Sequence, residues 1–246
     1  MGRFHTPPSR EWHRFGVVLC MAIAAGSMSS AEAVPRRIIL GRHGEKANAY
    51  ALCTRGQQRS LALRDQFLGR SARSQALLEG QQPVAFLAIT PHTLETLAPS
   101  ARSWSLPVVT FSQVPQQGES TATKRQLQQQ RTREAAAQVL SNPTWAGGTV
   151  VMAWEHRTIA NQQLAERFPE QPVTLRQLLN LDQLQGVPDT WPDDTYGWIW
   201  IIDYDNAPSP IPTGFRMVRE AFAAPYSHLK APAWGTPVPQ ADGCLP

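Results

Sequence analysis

The stretch Arg37-Ile38-Ile39-Leu40-Gly41-Arg42-His43-Gly44-Glu45-Lys46 sets a run of large apolar residues directly against a cluster of ionisable ones. Ile38-Ile39-Leu40 offers no polar face to water, so it reads as a strand buried on both sides, as in a parallel sheet covered by helices. A charged cluster straight after such a strand is costly to bury unless its members pair or meet a ligand. Gly41 and Gly44 flank the Arg42-His43 pair, and glycine there allows a tight turn and close approach to a ligand.

Working outward, short β-branched and aromatic runs recur at 84–89, 108–111, 149–154 and 198–204, and with 37–40 they read as strands. Between them, helical spacing covers 54–68, 94–104, 120–140, 158–168 and 175–184. This alternation predicts an α/β fold: a three-layer, mainly parallel sheet flanked by helices. The glutamine-rich stretch 113–130 reads as a loop running into a solvated helix. After Asn206 prolines recur, predicting a tail (207–246) that wraps the surface, with little regular structure beyond a short helix near 215–222.

At 246 residues, 42% hydrophobic and 17% charged, the chain can bury a sizeable core, and 34–206 reads as one domain. Residues 1–33 combine Arg3, Arg10 and Arg14, an apolar run over 16–28, and Ala31-Glu32-Ala33, the pattern of a secretory signal. The apolar run is shorter than the roughly twenty residues of a membrane span. The expectation is a mature chain starting at Val34, periplasmic or secreted, with no membrane span. The net charge is +4, and three arginines against two glutamates in the first 33 residues leave about +3 beyond them. That is too mild for nucleic acid and suits a small anionic substrate. Cys53 and Cys244 either pair in that compartment or stand as unrelated thiols.

Ligands of such sheets bind beyond the carboxyl ends of strands. Three of the four histidines beyond residue 33 fall there: His43, His92 after Thr90-Pro91, and His156 after Glu155.

Arg42-His43-Gly44-Glu45 after one apolar strand and Trp154-Glu155-His156 after a later one resemble the histidine phosphatase superfamily, which includes the phosphoglycerate mutases and acid phosphatases. The resemblance runs over roughly 37–204. It implies a phosphoglycerate mutase-like fold, a small phosphorylated substrate, no cofactor and a covalent phosphohistidine mechanism. His43 would attack phosphorus as neutral imidazole, with Arg42 and His156 holding the phosphoryl oxygens. His156 would help most when protonated, favouring acidic pH. In the family frame His92 stands where a second pocket arginine belongs, with Arg102 or Arg157 as alternatives for that place. For the general acid the resemblance points to Glu119, in the region where the mutase branch keeps its acid. Glu155 is the other candidate, although alternation along an extended segment would turn it away from the phosphate. Asn48 would donate to a phosphate oxygen. Glu45 and Lys46 read either as an ion pair at the pocket mouth or as a solvated loop pair.

Three other functions remain in view. Export argues against a mutase of cytosolic metabolites. A phosphate-ligand binding domain without turnover follows if His92 cannot replace the arginine. A metal centre of His43, Glu45, His92 and His156 is disfavoured, because Arg42 would repel the cation.

Overall fold

β1 (Arg37–Arg42) lies inside a six-stranded sheet, between β4 (Thr149–Trp154), to which it is parallel, and β5 (Trp198–Asp203), to which it is antiparallel. Beyond β4 come β2 (Ala85–Ala88) and β3 (Val108–Thr110), both parallel; beyond β5 comes β6 (Gly214–Arg219), antiparallel. The order is β3-β2-β4-β1-β5-β6. The computed structural model describes residues 1–2, 34–112, 114, 116–204, 209–229 and 231–245. The signal expected over 1–33, apart from its first two residues, and the boundary expected at 206 lie outside the described residues.

β1, β2, β4 and β5 are apolar through their middles because both faces are covered, whereas β3 and β6, at the two edges of the sheet, are partly exposed. Ile38, Leu40, Val150, Met152 and Trp200 pack on one side with Ala135, Val139 and Leu175, from α3 (Thr121–Ser141) and α6 (Leu175–Leu178). The alternate residues Ile39, Val151, Phe86 and Ile201 pack on the other side with Leu63, Phe67 and Leu97. These belong to α1 (Thr54–Leu63), the π turn Arg64–Leu68 that continues it, and α2 (Pro91–Ser103). Each Val, Leu, Ile, Phe or Met side chain among them, fully buried, contributes roughly 1.5–3 kcal/mol. The fold is therefore the expected α/β arrangement, helix layers on both faces of a mainly parallel sheet.

Local chemistry explains where the helices differ from their expected spans. α2 begins at Pro91, earlier than expected, because the Thr90 side chain accepts from Thr93 N and proline fits a first helical turn. This early start places His92 in a helix rather than in a loop. The stretch 158–168 divides into α4 (His156–Ile159) and α5 (Gln162–Arg167), because the Asn161 side chain caps the second piece. The stretch 175–184 divides after α6 where Asn180 turns left-handed (φ 58°), followed by the 3-10 turn Leu181–Gln183.

The segment expected as a short helix near 215–222 is instead β6 over Gly214–Arg219. Its side chains alternate: Phe215 and Met217 pack with one layer and Val218 with the other, a period of two that a helix cannot satisfy. The proline-rich tail also contributes Phe222 and Leu229 to the α1–α2 layer. Its end is tied down by a Cys53–Cys244 disulfide and by Leu245 N donating to Lys46 O at 2.6 Å.

Candidate active site

The parallel register builds the site. Ala88 of β2, Ala153 of β4 and Gly41 of β1 form one row across the sheet. Two residues beyond that row on each strand stand Thr90, Glu155 and His43. The loop after β1 is pinned by His43 N to Trp154 O (3.2 Å), Gly44 N to Thr96 Oγ1 (2.9 Å) and Cys53 N to Glu45 O (2.9 Å). It lies against the first turn of α1: a Cβ on Gly56 would come within 2.2 Å of Glu45 O, and one on Gly44 within 3.1 Å of Gly56. Gly41 has no such crowding, the nearest atom to an added Cβ being Trp198 O at 4.0 Å. Of the two glycines flanking Arg42-His43, only Gly44 answers to a close approach, and it is an approach of backbone to backbone.

Glu45 and Lys46 do not pair with each other. Glu45 accepts from Arg59 Nε (3.0 Å) and Nη2 (2.6 Å), and Arg59 Nη1 donates to Glu220 (2.8 Å), all three buried. Burial alone would raise the Glu45 carboxyl, but the Arg59 guanidinium overrides it and holds Glu45 below its ordinary range. For Glu220 burial wins, and its pKa is raised. Lys46 turns the other way and donates to Glu155 Oε2 at 2.9 Å.

Three imidazoles converge: the His43 ring lies 6.0 Å from that of His92 and 5.8 Å from that of His156. Each has one nitrogen committed to an acceptor, which fixes its tautomer. His43 Nδ1–H donates to Gly44 O (2.7 Å), leaving a lone pair on Nε2; His92 Nε2–H donates to Asn48 O (2.7 Å), leaving one on Nδ1. His156 Nε2–H donates to Asp193 Oδ1 (2.9 Å), leaving one on its Nδ1. The three remaining nitrogens are buried without a hydrogen-bond partner among the described residues, and so is Arg42 Nε. Burial depresses all three histidines. His43 falls well below its ordinary value, with Lys46 and Arg42 adding to the effect against Glu155. His92 is lowered by burial and then Lys46, and His156 reaches about 3, where burial and Arg42 outweigh Glu155 and Asp193. Without a ligand, His156 is therefore neutral even in mild acid, contrary to the protonated form expected of it. Its Nδ1 can donate only after taking up a proton.

Glu155 does not point away. Its Oε2 lies 3.4 Å from His43 Nε2, and its Oε1 accepts from the Thr90 hydroxyl at 2.8 Å and lies 4.0 Å from His92 Nδ1. Burial works to raise this carboxyl, but His43, Lys46 and the Thr90 hydroxyl together hold it well below its usual range. Lys46 and Thr90 are the partners that keep it ionised. Arg42 donates through Nη1 to the carbonyls of Asp193 (2.6 Å) and Thr195 (3.0 Å), and its guanidinium stacks 3.7 Å from the Tyr196 ring centre. That ring also meets His43 edge-on at 6.0 Å.

The structure thus brings together Arg42, His43, His92, Glu155 and His156. Asn48 contributes its carbonyl to His92, while its side chain accepts from Tyr50 N and Ala51 N in its own turn. Glu119 likewise accepts from Gln116 N within its turn, so of the two candidate acids Glu155 is the one in the cluster. Arg157 pairs with Asp193 beside His156, and Arg102 is exposed on α2. Sequence reasoning missed Asp193, Tyr196, Arg59 and Glu220, each far along the chain from its partner. A tyrosine and two aspartates beside Trp191 were the only local signal. His43, Glu155 and His156 also present ligand atoms within 4.8 Å of one another, a set able to hold a metal ion.

No protein-family model matches the chain, and no curated protein does either. Among solved structures it is similar to the candidate phosphohistidine phosphatase SixA of Agrobacterium tumefaciens, at 14% identity over 78% of this chain and 99% of that one, with a TM-score of 0.36. It is also similar to a protein described as mycobacterial hydrolase 2, at 16% identity over 76% of this chain and 91% of that one, with a TM-score of 0.39. Superpositions this loose leave the functional reading to the geometry of the site.

Proposed function

We propose that this protein is a histidine phosphatase, a phosphoric monoester hydrolase working through a phosphohistidine on His43 Nε2. The observation that carries the reading is the buried His43 Nε2, without a hydrogen bond among the described residues, its lone pair fixed by the bond from Nδ1–H to Gly44 O, with Arg42, Glu155 and two further imidazoles around it. In the first step the Nε2 lone pair attacks phosphorus, the bond to the leaving oxygen breaks, and a carboxyl proton passes to that oxygen. In the second, water attacks phosphorus, the carboxylate takes its proton, and the N–P electron pair returns to Nε2. Arg42 Nε–H and protonated His156 hold the non-bridging oxygens. Glu155, rather than Glu119, fits the acid, because a phosphoryl dianion beside an already ionised carboxylate raises its proton affinity. His92, next to the nucleophile, occupies the place expected for the second pocket arginine.

The test is acid-labile phosphate on the protein during turnover of 4-nitrophenyl phosphate. His43→Ala should abolish both the adduct and turnover while leaving the circular dichroism unchanged. An adduct that persists in this variant rules the nucleophile out. A metal centre on His43, Glu155 and His156 is the second reading, weakened by the Lys46 ammonium on Glu155 and the Arg42 guanidinium nearby. Turnover unaffected by EDTA decides for the covalent route. The Cys53–Cys244 disulfide supports a periplasmic or secreted location.

A further inference from the structure

Beyond Asp193 the surface opens into a groove of about 470 Å³ between α3, the α4–α5 segment and the loop carrying Thr190. Asp193 links the groove to the histidine cluster: one carboxylate oxygen takes His156 Nε2–H, and both bind Arg157, which lines the groove. That pairing neutralises Arg157. Two more guanidinium groups, Arg125 from α3 and Arg167 from α5, line the same groove, and among the described residues neither has a hydrogen-bond or ion-pair partner. The rest of the lining is largely amide, with Gln128 and Gln162 on opposite sides. The groove therefore carries about two uncompensated positive charges on walls able both to donate and to accept hydrogen bonds.

Resting on the phosphatase reading, we propose that this groove receives the leaving group of the substrate, and that the leaving group bears a second anionic substituent, a carboxylate or a phosphate, held by Arg125 and Arg167. An uncharged aryl or alkyl group would leave both guanidinium groups unused. Arginine's planar fork matches either oxyanion bidentately.

The experiment compares phenyl phosphate with 4-carboxyphenyl phosphate on the wild type and on the double variant Arg125→Gln/Arg167→Gln. Where neither ester turns over, binding of both to the wild type and to the double variant is measured by calorimetry. The wild type should favour the carboxylated ester by about tenfold or more in kcat/KM, expressed mainly in KM. The double variant should lose that preference and keep its rate on phenyl phosphate. Equal kcat/KM for the two esters in the wild type, or a preference that survives in the double variant, overturns the proposal. Should neither ester turn over, the phosphatase reading fails by itself. The groove then stands if calorimetry on the wild type shows the carboxylated ester bound more tightly and the double variant removes the difference. It falls if calorimetry shows no difference.

Discussion

Behind His43, Glu45, Arg59 and Glu220 form a closed ionic triad, each at most 5% exposed. Across the pocket, the Asp193 side chain is 54% exposed and pairs with both the largely buried His156 and the exposed Arg157. Both arrangements orient an imidazole of the cluster, one through the loop that carries it and one directly. They do so at different dielectric. Removing one member of a buried charge set strands the others away from water and is strongly destabilising. An exposed carboxylate is screened, contributes little to stability, and is free to tune the proton affinity of its neighbour.

The sharpest way to break this contrast is Arg59→Met, which leaves two buried carboxylates facing each other. It should destabilise the protein by about 3–5 kcal/mol, read as a shift in the urea unfolding midpoint. Asp193→Asn should change stability by less than about 1 kcal/mol. Comparable losses for both would mean that burial does not distinguish the two walls.

Gly56→Ala acts on the same inner wall without touching a charge. An added Cβ would stand 2.2 Å from Glu45 O and 2.8 Å from Glu45 N, both backbone atoms with no side-chain freedom to yield. The loop carrying His43 must then shift. A loss of about 1–3 kcal/mol is expected, as for other overpacked sites, together with reduced turnover at an unchanged oligomeric state. Full stability and activity would show that the loop is softer than its hydrogen bonds imply.

The difference between the walls also decided what could be read from the sequence. Strands β1, β2, β4 and β5 were legible because their central side chains are buried on both faces and the runs are apolar there, and β3, a largely exposed edge strand, was legible from its β-branched run alone. β6 was not, because Arg216 and Arg219 face solvent and the flanking prolines masked a period of two. Arg42, His43 and His156 were legible because each follows an apolar strand directly. Their supports were not: Arg59 meets Glu220 across 161 positions, and Arg42 meets Thr195 across 153. Only the folded topology joins residues so far apart, and no local pattern announces them. Glu155 was misjudged by strand alternation because the chain leaves the extended state at α4, which starts at the very next residue.

The smallest expected effect probes the outer wall. His156 gives its Nε2–H to Asp193, so its Nδ1 can donate to an oxyanion only after the ring gains a proton, and burial has lowered that proton's affinity to a pKa of about 3 from 6.5. In the unfolded chain the ring titrates near its ordinary value, so without a ligand the unfolded state takes up the proton first as pH falls. Stability is then lost progressively from about pH 6.5 toward 3. An oxyanion in the pocket reverses the preference, because it interacts more strongly with the imidazolium. Sulfate is the suitable probe, since its charge does not change between about pH 5 and 8, and each linked proton steepens its affinity by up to about tenfold per pH unit. The rise in Tm caused by sulfate should therefore be larger at pH 5 than at pH 8. Asp193→Asn keeps an acceptor for Nε2–H but removes the negative charge that supports the imidazolium, so the pH dependence should flatten. A sulfate effect that is equal at both pH values in the wild type would mean that Arg42 holds the anion without His156, and that the Asp193 wall only shapes the pocket.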